Sequence, residues 1–157
     1  MSFKLSNRSL GNLEGVDERL VSVVKQAIEI TKVDFGVVCG LRTIEEQKEL
    51  VASGASQTMK SKHLEGRAVD LMAYIGSRAS WELNVYDDIA DAMAQAARDQ
   101  GVALCWGAAW KNESHPYPMD MRQWNGTMED AMRSYIRYKE NVENRRAFID
   151  GPHFELI

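Results

Sequence analysis

The chain contains no run that approaches the roughly 20 consecutive apolar residues a membrane-spanning helix requires, so we predict no membrane insertion. Residues 1–6 also lack the apolar core of a secretory signal, and we therefore expect synthesis in a reducing cytoplasm. Cysteine is scarce: Cys39 and Cys105 are the only two, and each lies in an apolar stretch. Both are predicted to be buried thiols rather than a disulfide.

An excess of basic residues is also missing, since 19 lysines and arginines stand against 23 acidic residues and give a net charge of -4. Such a chain repels nucleic-acid backbones and anionic membranes on average, so neither is an expected partner. Hydrophobic residues make up 45% of the 157 residues, enough for a core without cross-links. We find no repeat or linker and predict one catalytic domain over residues 1–157.

Hydrophobic spacing and capping signals predict an α+β fold. Apolar residues at three- and four-residue intervals predict helices over 17–30, over 86–100 and after Thr127, and a Thr43–Glu46 capping box predicts another that ends near Ala52. Short apolar runs predict strands at 34–39, 68–72, 102–106 and 153–157. Residues 53–61 and 111–125 lack periodicity and are predicted loops. The expected architecture is a small antiparallel sheet flanked by helices.

Two of the three histidines lie beside acidic residues in unusual places. His63 ends the polar loop, and Asp70 follows it in the middle of an apolar predicted strand. Gly66 between them permits a turn, so both side chains can point into one site. A buried carboxylate needs a partner, and a metal ion, an arginine or backbone donors would each suffice.

The C-terminal segment supplies the second histidine of interest. His153 and Glu155 share one face of the last predicted strand, and Asp150 precedes a Gly-Pro turn that can fold its carboxylate back beside the imidazole. Two histidines, one carboxylate and an open position are typical of a catalytic zinc site, with a further carboxylate as general base. Spacing alone does not establish this site, because no compact motif such as His-Glu-x-x-His is present.

At these residues the chain resembles the zinc peptidoglycan peptidases, which include D-alanyl-D-alanine carboxypeptidases and dipeptidases and the L-alanyl-D-glutamate endopeptidases of phage lysis. Residues 61–70 match the motif Ser-x-His-x-x-Gly-x-Ala-x-Asp, and residues 150–156 match acid-x-x-His with its Pro-His-Phe-Glu-Leu ending. The likeness extends through residues 40–43 with Gln47, and residues 3–30 resemble the phage endolysin branch.

The resemblance implies that His63, Asp70 and His153 hold one Zn²⁺ per chain. It also implies that Asp150 is the general base and that Arg42 stabilises the developing oxyanion or a substrate carboxylate. Glu155 is an alternative base, because it projects from the strand face that carries His153. The predicted substrate-binding residues are Ser61, Gln47 and Trp106, although Trp106 and Trp110 could equally be aromatic residues of the core.

The implied reaction is hydrolysis of the L-Ala to D-Glu amide bond in peptidoglycan stem peptides during host lysis. Cleavage at the D-Ala-D-Ala end and a non-catalytic zinc-containing binding module are the alternatives, although the presence of Asp150 favours an enzyme. We expect a monomer that is made in the host cytoplasm. It would act on the wall after membrane permeabilisation, through a holin-type pore made by another protein.

One region departs from the family pattern. Related proteins often carry Trp-Gly-Gly-Asp-Trp before the last strand, whereas residues 106–110 here are Trp-Gly-Ala-Ala-Trp, which removes a charge near the cleft. The following residues 111–148 are longer than expected and are predicted to be scaffold. His115 is predicted to be a loop residue rather than a fourth metal ligand.

Overall fold

The computed structural model describes residues 2–110 and 120–157 of the chain. Within them lie the helices α1 (Asn7–Asn12), α2 (Glu18–Ile30), α3 (Ile44–Ala52), α4 (Leu83–Gln100) and α5 (Met128–Asn141). The strands are β1 (Asp34–Cys39), β2 (Ala68–Ile75), β3 (Arg78–Ser80), β4 (Leu104–Trp106) and β5 (His153–Leu156). Short 3₁₀ helices span Lys62–Glu65 and Met121–Gln123.

All strand pairs in the sheet are antiparallel, and the main path runs β1-β2-β5-β4. The short β3 pairs with the distal part of β2. The strand that comes last along the chain, β5, therefore lies between β2 and β4. This arrangement confirms the predicted α+β class with a small antiparallel sheet.

The core forms where α2 and α4 pack against each other and α4 covers the sheet. The apolar stripe of α2 is fully buried at Leu20, Val23 and Val24, as its helical spacing predicts. On β5, Phe154 and Leu156 are buried in the same core. The alternation of a strand consequently directs His153 and Glu155 to the opposite face.

The longer helices and the four strands β1, β2, β4 and β5 were predicted from the sequence, whereas α1, β3 and the 3₁₀ helices were not. α4 begins at Leu83 rather than at residue 86, and β2 continues to Ile75. The six-residue α1, the three-residue β3 and the 3₁₀ helices are too short to carry a hydrophobic period.

Residues 111–119, which include His115 and much of the predicted 111–125 loop, lie outside the described residues. In the two described segments, no helix combines the length and apolar character needed to cross a bilayer.

Candidate metal centre

Strand register places three polar side chains in one row across the sheet. Asp70 on β2 pairs with His153 on β5 and with Cys39 on β1. The β1 pairing is irregular between Val37 and Cys39, where β1 contains one residue more than the facing part of β2. This irregularity brings Cys39 opposite Asp70. Residues directly opposite each other share a face, so this row presents two potential ligands and a thiol together.

A tight turn brings His63 to the same place. The 3₁₀ helix Lys62–Glu65 is capped by the Ser61 hydroxyl, which accepts a hydrogen bond from the His63 amide. It ends at Gly66 in the left-handed conformation with φ of 67°. A side chain at Gly66 would also collide with the backbone carbonyl of Gly15. Gly66 is therefore required to return the chain into β2 with His63 facing Asp70.

The His63 ring is fixed by the backbone. Its Nδ1 lies 2.8 Å from the Gly40 carbonyl oxygen, which can only accept, so Nδ1 carries the hydrogen. The opposite atom, Nε2, is buried 3.3 Å from Asp70 Oδ2 and has no hydrogen-bond partner among residues 2–110 and 120–157. A buried ring nitrogen with its lone pair free and directed at a carboxylate is suited to a metal ion.

His153 is held in a similar way from the other side. Its Nε2 lies 2.8 Å from Glu155 Oε1, and Glu155 Oε2 in turn lies 3.1 Å from Lys62 Nζ. Its Nδ1 lies 3.1 Å from Asp70 Oδ1 and so faces the centre. The His63 and His153 rings meet edge to face with centroids 5.1 Å apart. Glu155 thus takes the supporting carboxylate position that commonly orients a metal-binding histidine.

The electrostatics of this cluster favour a positive charge. Burial opposes ionisation of Asp70, but its hydrogen bond with His153 and the nearby His63 imidazole hold the pKa of this carboxyl well below its usual range. Burial likewise opposes protonation of the imidazoles, yet the Asp70 carboxylate and other partners raise the pKa of His63 to about 10 and that of His153 to about 9. A divalent cation at this position would replace these protons.

Asp150 lies beside the cluster at the entry to β5. Its turn is closed by hydrogen bonds from its amide to the Gly107 carbonyl and from the His153 amide to its own carbonyl. Carboxylate and imidazole atoms of Asp150, Asp70 and His153 lie within 4.8 Å of one another. Within the described parts of the chain the Asp150 carboxylate has no hydrogen bond, whereas Glu155 is engaged by His153. Burial and the Asp70 charge raise the pKa of Asp150, which suits a proton acceptor.

Arg42 belongs to the centre and is not a surface residue. Its side chain is 12% exposed, and Nη2 lies 3.6 Å from Asp70 Oδ2 and 3.3 Å from Cys39 Sγ. Its Nη1 donates to Gln47 Oε1 at 2.7 Å. Gln47, which was predicted to bind substrate, is fully buried, and its side chain contacts Arg42 and Ser56.

A cleft of about 800 Å³ opens over the centre. Residues 54–58 and 60–62 form one wall, and they include Ser61, whose role in binding substrate stays a prediction. Trp110 and Phe148 form the other wall. Trp110 stacks on Phe148 and lies 5.3 Å from the His153 ring. The candidate metal-ligating residues His63, Asp70 and His153 therefore line the same cleft.

Trp106 lies in the core, which is one of the two placements that the sequence left open for this residue. Its side chain is fully buried, its indole nitrogen donates to the Gly151 carbonyl at 2.7 Å, and its ring stacks on Phe154. Trp110, four residues later, lines the cleft instead. Trp106 lies in the core because it belongs to the buried strand β4, whereas Trp110 follows the turn after β4 and lines the cleft.

Cys39 is the functional-site residue that sequence reasoning missed. We predicted a buried core thiol, but Cys39 is only half-buried and its Sγ lies 3.7 Å from His63 Nδ1. Cys39, His63 and Asp70 form a second group with potential metal-ligating atoms in close proximity. Since Nδ1 of His63 is engaged with Gly40, the thiol lies behind the imidazole rather than in the cleft.

Two histidines and one aspartate that line a cleft, with a further carboxylate and an arginine beside them, are the side chains expected of a metal-dependent hydrolase. The model of the family described as phage L-alanyl-D-glutamate peptidase matches residues 1–130, and the chain belongs to this family. The resemblance stated from the sequence is thereby confirmed.

Relatives extend the match to the last strand. The L-alanyl-D-glutamate peptidase of Escherichia phage T5 is 33% identical over the whole of both chains. That of Listeria phage A118 is 28% identical over 66% of this chain and 37% of its own. The crystal structure of the Serratia marcescens L-Ala D-Glu endopeptidase ChiX has a TM-score of 0.71 and 33% identity, and covers 99% of this chain and 91% of that one.

Proposed function

We propose that the chain is a zinc-dependent peptidoglycan endopeptidase that hydrolyses the L-alanyl to D-glutamate bond of stem peptides. The observation that carries the metal site is the buried Nε2 of His63, which faces Asp70 beside His153 and has no hydrogen-bond partner in the part of the chain that the structure describes. Membership of the phage L-alanyl-D-glutamate peptidase family supports the choice of bond over the D-Ala-D-Ala alternative.

His63, Asp70 and His153 would hold one zinc ion through two imidazole nitrogens and a carboxylate oxygen. This donor set fits zinc, since borderline nitrogen donors exclude magnesium or calcium as the preferred ion. Zinc in such an open site polarises the scissile carbonyl and makes a water acidic near neutral pH. Glu155 orients the His153 imidazole through Nε2.

Asp150 supplies the proton transfers of this hydrolysis. Its carboxylate takes a proton from the attacking water and delivers it to the departing amine of D-glutamate, so that the acyl carbon gains oxygen as the amide C–N bond breaks. Its raised pKa and lack of a fixed partner among described residues support this role over Glu155. Arg42 supplies fixed positive charge near the carbonyl oxygen as that oxygen becomes negative.

Digestion of purified peptidoglycan tests the reaction directly. Zinc-loaded protein should release fragments whose new amino termini are D-glutamate, as identified by mass spectrometry, and metal-free protein should release none. Release of free D-alanine would instead identify a carboxypeptidase. Zinc binding without any cleavage would identify a binding module.

We further propose that the protein acts as a monomer and reaches the wall through a holin-type pore. Its phage relatives support a role in host lysis. Expression of the chain alone should leave bacterial cells intact, and lysis should follow when a pore-forming protein is co-expressed. Lysis without membrane permeabilisation would contradict the pore requirement, and a scattering mass well above 17.7 kDa would contradict the monomer.

A further inference from the structure

The buried side chain of Gln47 connects Arg42 to the wall of the cleft. Its Oε1 accepts from Arg42 Nη1 at 2.7 Å. Its Nε2 donates to Ser56 Oγ at 2.9 Å and to the backbone carbonyl of Thr58. One carboxamide in a fully buried position thus uses its acceptor on one side and both donors on the other.

The chemistry of the partners fixes which end of the amide points where. A guanidinium can only donate hydrogen bonds, and a backbone carbonyl can only accept them. The Gln47 oxygen must therefore face Arg42 and its nitrogen must face Thr58. Neither an acid nor an apolar side chain of the same length can satisfy both sides at once.

Arg42 depends strongly on this contact. Its backbone amide donates to the His63 carbonyl at 2.9 Å, which fixes the start of the side chain. At the other end, Gln47 Oε1 is the only strong acceptor within hydrogen-bond distance of the guanidinium among the described residues. The Cys39 sulfur is a weak acceptor, and the Asp70 carboxylate lies 3.6 Å away.

The start of α3 makes Gln47 itself rigid. The helix is capped by Thr43 and Glu46 in a reciprocal capping box, and the Gln47 amide donates to the Thr43 carbonyl. Gln47 therefore projects from a well-formed first turn and not from the mobile end of a helix. A rigid support of this kind is what a charge needs when it must be in place before the reaction begins.

We propose that Gln47 is a positioning residue that holds the Arg42 guanidinium at the cleft floor and couples its position to wall residues 56–58. This inference rests on the proposed function, in which Arg42 stabilises the developing oxyanion. Gln47 does not reach substrate, so it acts through Arg42 on the transition state. Its loss should lower kcat and leave KM nearly unchanged.

The test replaces Gln47 by methionine, which keeps the length and removes all three hydrogen bonds. In zinc-loaded protein, Gln47→Met should lower kcat about 10- to 100-fold while KM and zinc affinity change less than about twofold. In an Arg42→Ala background the same change should lower kcat less than about twofold further, because the group through which Gln47 acts is gone. The matched control Gln95→Met, on exposed α4 surface, should leave kcat unchanged.

Nitrogen NMR of the Arg42 side chain gives a readout independent of activity. The guanidinium should show restricted rotation in the wild-type protein and rapid averaging in Gln47→Met. If that variant does not fold, Gln47→Asn keeps a buried amide but is too short to reach both partners, and the same loss of restriction is expected.

An ordered Arg42 in the folded variant, or equal losses of kcat from Gln47→Met with and without Arg42, would overturn the positioning role. Failure of the wild-type protein to cleave the L-Ala to D-Glu bond would instead contradict the proposed function. The NMR result still decides whether Gln47 orders Arg42 in that case.

Discussion

At the scale of single residues, one hydrogen bond from the protein determines which nitrogen of each histidine is available: a backbone bond for His63 and a side-chain bond for His153. The Gly40 carbonyl takes the Nδ1 hydrogen of His63, and this leaves Nε2 directed at Asp70. In His153 the nitrogens are exchanged: Glu155 engages Nε2, and Nδ1 is directed at Asp70. The two imidazoles therefore direct different ring nitrogens, Nε2 of His63 and Nδ1 of His153, at Asp70. Each ring uses its other nitrogen for the supporting hydrogen bond, so a side chain with only one such atom cannot replace either histidine.

Asp150 and Glu155 should behave differently when each loses its charge. Asp150→Asn removes the proton acceptor, so kcat should fall about 10²- to 10⁴-fold while zinc still binds at one ion per chain. Steady-state kinetics on a synthetic stem peptide, together with metal analysis, checks this. A variant that kept its activity would show that another group accepts the proton.

Glu155→Gln should produce mainly a metal-binding defect. Glu155 accepts from His153 and pairs with Lys62, so its loss frees the imidazole and should weaken zinc binding about 10- to 100-fold. Competition with a calibrated chelator measures this affinity. At saturating zinc, most of the activity should return, unlike in Asp150→Asn; persistent inactivity would identify Glu155 as the base.

Local motifs made His63, Asp70, His153 and Asp150 predictable, because each pair lies within ten residues and a single turn joins its members. Cys39 was not predictable, since its position opposite Asp70 depends on the irregularity in β1. The burial of Gln47 and Trp106 also could not be predicted from the sequence. Both side chains could equally face the cleft or the core until the packing of α3 and β4 was known.

At the scale of elements, the contact between α4 and α5 contains an unsatisfied acid. Asp87 on α4 is 8% exposed, and its buried Oδ1 has no hydrogen-bond partner within the described segments. Burial, followed by the charges of Glu129, Asp91 and Asp88, raises the pKa of Asp87 to about 6. Asp91, one of these neighbouring acids, accepts a hydrogen bond from the Met128 amide at the start of α5.

Asp87→Asn should therefore stabilise the protein at neutral pH. The folded state binds the Asp87 proton more tightly than the unfolded state, so stability falls as pH rises from about 4 to 6 and the cost is complete above that range. The variant should melt several degrees higher at pH 7.5, with the gain shrinking towards pH 4. Asp99→Asn, an exposed change on the same helix, is the control; equal gains from both would contradict the local origin.

Elements with a long hydrophobic period were correctly predicted, as α2 and α4 show, because one buried face repeats over several turns. α1 contains Gly11 and only one buried residue, Ser9, and thus carries no such pattern. Its place is set instead by tertiary contact: the Ser9 hydroxyl accepts from the Val37 amide of β1. A hydrogen bond between residues that are far apart along the chain cannot be predicted from a single sequence.

At the scale of the whole molecule, the proposed zinc ligands join distant parts of the chain. A bound ion that does not bind the unfolded chain stabilises the fold by about 4 kcal/mol at about 1,000 times its dissociation constant. For a chain of this size, that corresponds to a rise of about 8–16 °C in melting temperature. Calorimetry with and without a chelator should show this shift, and zinc but not magnesium should restore it. His153→Ala should show no shift on zinc addition.

The central position of β5 has a consequence for how the protein folds. The bond between His153 and Asp70 joins residues 83 positions apart, and contacts with such long loops form late. Until β5 inserts, β2 and β4 each expose an unpaired edge that can pair with another chain. Zinc bound between β2 and β5 would then stabilise the native state more than the folding transition state. It should slow unfolding while leaving refolding nearly as fast, so the metal would govern the lifetime of the folded enzyme.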